Sequence, residues 1–240
     1  MNSLNFNLKS FLKIFLVSSV PLVAWSSSKP NNLKPSIKTF TILCMGLFIF
    51  GLGESILVVS QYGVTPWTVL AEGFAKIVKD ENIDCDIIAG TSTAGVSPCV
   101  TLSDLLMKPL VYVRNKPNTH GMEKQMEGMN VKPSGKKVLL IEDLISTGGS
   151  SIAAVNAVRA EGADCNYCFS IFNYGLEKAE SAFQNLEPLC QTRSLLTYKI
   201  LLDAAKEENY FNKKEFELLE EWESDPFGWG KKHFPQKYNN

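Results

Sequence analysis

The stretch VLLIEDLISTGGS, residues 138–150, places four aliphatics, two acids and a run of small and hydroxyl residues in immediate succession. Residues 138–141 have the length and apolarity of a strand buried on both faces, as strands of parallel sheets are. Such a strand delivers Glu142 and Asp143 to the carboxyl edge of its sheet, where α/β proteins bind ligands. Ser146, Thr147, Gly148, Gly149 and Ser150 follow, leading into a helix predicted over about 150–160. Small residues let backbone N–H groups close around a phosphate, and the helix dipole favours the anion. The two acids are unsuited to phosphate and fit ribose hydroxyls or a hydrated cation. A phosphate cradle beside a reader of vicinal hydroxyls describes a phosphorylated sugar. The plainer alternative is an acidic turn ahead of a glycine-rich helix start.

The flanking sequence repeats the pattern of short apolar strands and helices. Strands are expected over 86–89, 110–113 and 169–172, and the first runs into Gly90-Thr91-Ser92-Thr93-Ala94-Gly95. Helical spacing covers 71–79, and closing helices are expected over 195–208 and 213–222, with a polar tail beyond. This alternation predicts an α/β fold with a mainly parallel sheet flanked by helices.

Residues 1–70 are a different kind of polypeptide. They carry five lysines and one acid, Glu54, whereas the remaining 170 residues hold 19 basic and 24 acidic side chains. Residues 39–60, TFTILCMGLFIFGLGESILVVS, are long and apolar enough for a membrane-crossing helix, with a buried soluble helix as the alternative. Residues 14–25 are shorter and match a signal peptide core, a short span or an interfacial anchor equally well. The expected division is therefore 1–70 as an apolar membrane-like segment, 71–225 as the α/β domain and 226–240 as a tail. The net charge of −1 argues against a strongly basic nucleic-acid binder, and no nucleic-acid site is apparent. Cys165 and Cys168 stand at redox or zinc spacing without a second pair, so buried thiols are expected.

Residues 138–150 resemble the phosphoribosyl-pyrophosphate (PRPP) motif of type I phosphoribosyltransferases. Residues 88–95 look like the pyrophosphate-side loop of the orotate branch. The run YVRNKPNTHG, residues 112–121, with Gln125-Met126-Glu127-Gly128, resembles the catalytic loop of that branch, and residues 194–198 also match it. The resemblance covers about residues 71–222. It implies an orotate phosphoribosyltransferase of pyrimidine nucleotide biosynthesis. Orotate and PRPP would give orotidine 5′-monophosphate and pyrophosphate, with Mg2+ as the cation and no protein metal ligands assigned. By the same resemblance Glu142, Asp143, Ser146, Thr147, Gly148, Gly149 and Ser150 bind PRPP, and Ser146 also contacts orotate. Arg114, Lys116, Asn118 and His120 fall in the catalytic loop, which in the family reaches a neighbouring subunit and so implies a homodimer. A cytoplasmic catalytic domain follows, with residues 39–60 adding the option of membrane association.

Two departures bear on activity. Asn118 stands where the family has a catalytic lysine, and a neutral amide cannot meet the charge of pyrophosphate. Residues 1–70 contain no counterpart of the family's amino-terminal segment; residues 46–70 instead resemble the opening of a family of small multi-span bacterial membrane proteins. The alternatives to an active enzyme are a non-catalytic PRPP-binding relative and an inactive membrane-anchored chimera.

Overall fold

The computed structural model describes residues 66–114, 125–129, 132–207, 209 and 211–235. Its elements in chain order are α1 (Pro66–Asp80), β1 (Ile87–Thr91), α2 (Val96–Leu106), β2 (Leu110–Val113), β3 (Met126–Glu127) and β4 (Lys137–Ile145). They continue as α3 (Gly149–Ala160), β5 (Asp164–Asn173), α4 (Glu177–Gln184), β6 (Gln191–Thr197), α5 (Tyr198–Glu207), α6 (Lys213–Ser224) and α7 (Trp229–His233). The chain divides into two compact units, and the one spanning Trp67–Ile200 holds the sheet.

The aliphatic runs pair as their composition demands. Six strands lie in the order β3-β2-β1-β4-β5-β6. All neighbours are parallel except β3, which runs antiparallel to β2 at the edge. Every residue of β1 is buried, because helices cover both faces of the sheet. Phe74 of α1 meets Phe169 of β5 with ring centroids 5.8 Å apart, and both are fully buried. Ala154, Val155 and Val158 of α3 and Ala179 and Phe183 of α4 join one continuous core with Val111, Leu140 and Cys168 of the strands. The five cysteines among the described residues are buried free thiols, as expected.

Several boundaries differ from the sequence reading. The helix expected from residue 71 begins five residues earlier, at Pro66, a residue suited to a first helical turn. Residues 195–197, expected to open a helix, finish strand β6; Leu196 pairs with Phe172 and Ser194 with Ser170. The helix starts only at Tyr198. The second unit, described from Leu201 onward, contains α6 and α7. Helix α6 is closed by a capping box: the Asn212 side chain accepts from Glu215 N–H, and the Glu215 side chain accepts from Asn212 N–H. The stretch read as a tail includes α7, where Trp229 stacks on His233 at 4.4 Å and His233 Nε2 meets Glu221 at 2.9 Å.

No described helix is long and apolar enough to cross a membrane. The apolar stretch 39–60 lies outside the described residues.

Candidate active site at the carboxyl edge of the sheet

Strand order creates the site. From β1 the chain crosses through α2 to β2 on one side, and from β4 it crosses through α3 to β5 on the other. The carboxyl ends of β1 and β4 are therefore a topological switch point, where the loops part and leave a crevice. Residues 92–95 follow β1, and residues 146–148 follow β4.

The β1 turn is packed too closely for larger residues. A Cβ on Gly95 would lie 2.5 Å from Thr91 Oγ1 and 2.7 Å from the Ile141 carbonyl oxygen. Only a residue without a side chain lets this turn fold back onto the junction of β1 and β4. The Ser92 N–H donates to the Val113 carbonyl oxygen at 2.8 Å, which sets the turn beside the end of β2 and hence beside Arg114.

The β4 turn shows a different device. Gly148 adopts φ +81°, a left-handed conformation, as the cap of α3, and no side chain caps that helix end. A Cβ there would make only ordinary contact with Ala179 and Phe183, so it is the backbone conformation that calls for glycine. No acidic residue occupies the first turn of α3 and no side chain caps it, which leaves its leading N–H groups suited to an anion. Gly149 and Ser150 are exposed, and Ser146 and Thr147 are half-buried.

The acid pair is asymmetric. Glu142 is 5% exposed, whereas Asp143 is half-buried. Thr91 Oγ1 donates to Glu142 Oε1 at 2.5 Å, Ser151 Oγ donates to Oε2 at 3.1 Å, and the Asp143 N–H donates to Oε1 at 3.2 Å. Glu142 thus ties the root of the β1 turn to the first turn of α3. Burial, aided by the adjacent Asp143, pushes its carboxyl up to about 8. Both Glu142 oxygens are engaged by protein; Asp143, whose side chain also interacts with Glu142, is the more exposed of the two acids.

Arg114 follows the last residue of β2. It is ion-paired through Nε to Glu127, and its guanidinium lies over the Tyr112 ring at 5.6 Å. The structure thus gathers Arg114, Asp143 and residues 146–150 along one sheet edge, joined by residues 92–95. Lys116, Asn118 and His120 lie outside the described residues. Thr91, Ser151, Tyr112 and Glu127 were not singled out from sequence. Thr91, Tyr112 and Glu127 lay within stretches that carry the resemblance, without a role of their own; Ser151 had no signal.

Asp143 suits a hydrated cation that also holds substrate oxygens, the usual way Mg2+ is bound beside phosphates. Among the described residues no group of three or more His, Cys, Asp or Glu side chains forms a metal cage.

Residues 68–181 match the phosphoribosyl transferase domain model. The orotate phosphoribosyltransferase of Enterococcus faecalis is 41% identical over 162 residues, covering 68% of this chain and 75% of that protein. The enzyme of the same name from Lactococcus lactis is 42% identical over 156 residues, covering 65% and 73%. Among solved structures, orotate phosphoribosyltransferase from Aeropyrum pernix aligns with a TM-score of 0.51 at 21% identity. That alignment covers 61% of this chain and 78% of the other, and it supports the fold.

Proposed function

The chain belongs to the orotate phosphoribosyltransferase family, and from that membership we propose that the crevice between β1 and β4 transfers the phosphoribosyl group of PRPP to orotate. N1 of orotate bonds to the anomeric carbon as the bond from that carbon to pyrophosphate oxygen breaks, and the leaving group keeps the electron pair. The products are orotidine 5′-monophosphate and pyrophosphate, a step of pyrimidine nucleotide synthesis. One observation carries the reading: two turns of small residues follow the adjacent parallel strands β1 and β4 at the switch point, with the half-buried Asp143 near the end of β4.

Each group has a part set by its chemistry. The N–H groups and hydroxyls of Ser146, Thr147, Gly148, Gly149 and Ser150 hold the 5′-phosphate at the uncapped start of α3. Asp143 accepts from the ribose hydroxyls, and Glu142 keeps the two turns in register. Residues 92–95 and Arg114 face the pyrophosphate, whose negative charge grows as the bond breaks. Ser146 also contacts orotate. Asp143 is the residue that would hold a hydrated Mg2+, which when bound would supply positive charge for the leaving group.

The resemblance of residues 112–121 assigns Lys116, Asn118 and His120 to the same leaving group. It further assigns a homodimer in which that stretch serves the partner's site. Catalysis in the cytoplasm, with attachment to a membrane through residues 39–60, completes the proposal. Asn118 supports a second reading, a relative that binds PRPP without turnover.

Orotate depletion, followed by ultraviolet absorbance with full-length protein in detergent, tests the proposal. Loss of signal that requires protein, PRPP and Mg2+ together is the expected result. Binding of PRPP with no depletion identifies the non-catalytic relative. Neither binding nor depletion, with a complete family member active in the same cuvette, refutes both readings.

A further inference from the structure

Glu127 has no part in the scheme above, yet its carboxylate is the centre of a built cluster. It sits on β3 directly opposite Tyr112 of β2. Side chains two residues apart on a strand share a face, so Tyr112 and Arg114 project on the side where Glu127 also lies. One Glu127 oxygen pairs with Arg114 Nε, and the other accepts from the Tyr112 hydroxyl. The tyrosine ring underlies the guanidinium at 5.6 Å, and Arg114 Nη2 reaches the same hydroxyl at 3.4 Å. The main chain is held as well: Arg114 N–H donates to the Gln125 carbonyl at 2.7 Å, and Gln125 Nε2 donates to the Arg114 carbonyl at 3.3 Å.

Stability alone does not account for this arrangement. The Arg114 and Glu127 side chains are 39% and 32% exposed, and ion pairs so open to water add little to folding. What the cluster does achieve is direction. An arginine side chain rotates about several bonds, and fixing it before the ligand arrives removes a penalty otherwise met at the reacting centre. Nε is in ion-pair contact with Glu127 without hydrogen-bond geometry and Nη2 reaches the Tyr112 hydroxyl, so the grip falls on the Nε side of the guanidinium. The backbone bond from Ser92 to Val113 brings the β1 turn to the residue that precedes Arg114.

We propose that Glu127 is a positioning residue for Arg114, gripping the guanidinium from its Nε side so that the terminal amino groups meet the pyrophosphate of the ligand. The inference rests on the reading of Arg114 as a pyrophosphate contact. Tyr112 is the second member of the grip, as the floor beneath the guanidinium and the donor that fixes the other carboxylate oxygen. Hydrogen bonds from Tyr112 and Arg114 hold the Glu127 carboxyl below its usual range, so it remains an anion through the neutral range.

The test is a double-mutant cycle on binding of magnesium pyrophosphate, measured by calorimetry on the full chain. Glu127→Gln keeps the size of the side chain and removes its charge. It should weaken pyrophosphate binding about ten- to a hundredfold, the scale of a catalytic contact displaced by about an ångström. In an Arg114→Ala background the same substitution should have no further effect, because the coupling passes through the guanidinium. Tyr112→Phe should give a smaller loss that also vanishes in that background, and it decides the matter if Glu127→Gln fails to fold. In turnover, KM for PRPP should rise in Glu127→Gln while KM for orotate stays put. Full additivity with Arg114→Ala, unchanged pyrophosphate affinity, or no pyrophosphate binding by the unmodified protein overturns the inference. A protein that binds pyrophosphate but never consumes orotate refutes the proposed reaction instead, and the binding cycle still decides the role of Glu127.

Discussion

Replacing Glu142 by glutamine should flatten the dependence of stability on pH between about 4.5 and 8. Burial holds this carboxyl protonated in the folded chain up to about 8, against an ordinary value of 4.5. Within that window the unfolded chain has released the proton and the folded chain has kept it. Unfolding therefore releases a proton, and stability falls as pH rises. One pKa unit corresponds to about 1.4 kcal/mol, so the whole window is worth at most roughly 5 kcal/mol. For a chain of this size each kcal/mol moves the melting temperature by about 2–4 °C, so a decline of roughly 10 °C is expected. The glutamine amide has the shape of the neutral carboxyl. Thr91 and Ser151 are hydroxyls able to donate or accept, so both hydrogen bonds survive the change. Melting curves of both proteins at half-unit steps from pH 5 to 8 are the assay. The two should be close in stability near pH 5, with Glu142→Gln the more stable at pH 8. Parallel curves would refute the reasoning, because they would show that the buried carboxyl does not carry the pH dependence.

Two further outcomes follow from the site. Gly95→Ala puts a methyl 2.5–2.8 Å from Thr91 and the Ile141 carbonyl, neither of which can withdraw without shifting the sheet edge. It should destabilise the fold by about 1–3 kcal/mol and raise KM for PRPP, read by denaturant melts and by turnover. On the proposed assignment of residues 112–121 to the catalytic loop, Asn118→Lys adds a cation facing the leaving group and should raise turnover by up to about a hundredfold. An unchanged rate would show that Lys116 or another cation already serves the leaving group.

The parts legible in sequence were those specified locally. Residues 138–141 and 110–113 are uninterrupted aliphatic or aromatic runs, and each proved to lie in a strand of the central sheet. Helix α2 has little signal in sequence, because VSPCVTLSDLL has a proline in its first turn and no strong apolar stripe. The boundary at Tyr198 was misplaced for a nonlocal reason: Leu195-Leu196 fits either period, and pairing with β5 selects the strand. The asymmetry of the acid pair was equally hidden. Two adjacent carboxylates look alike in sequence, and the partner that separates them, Thr91, lies 51 residues away.

That asymmetry answers an electrostatic difficulty in the site. PRPP carries a phosphate and a pyrophosphate, and two ionised carboxylates at the mouth of its cradle would repel both. Withdrawing Glu142 into the protein, protonated and held by Thr91, Ser151 and the Asp143 N–H, removes one of those charges while keeping its hydrogen-bonding capacity. In the reaction proposed above, the remaining acid would then do two jobs that need an acceptor: meeting ribose hydroxyls and facing the cation that accompanies the phosphates. The same carboxyl group ties the root of the β1 turn to the first turn of α3 through Thr91 and Ser151. An acidic pair beside a polyanion is thus consistent once only one member confronts the ligand and the other serves as an internal hydrogen-bonding tie.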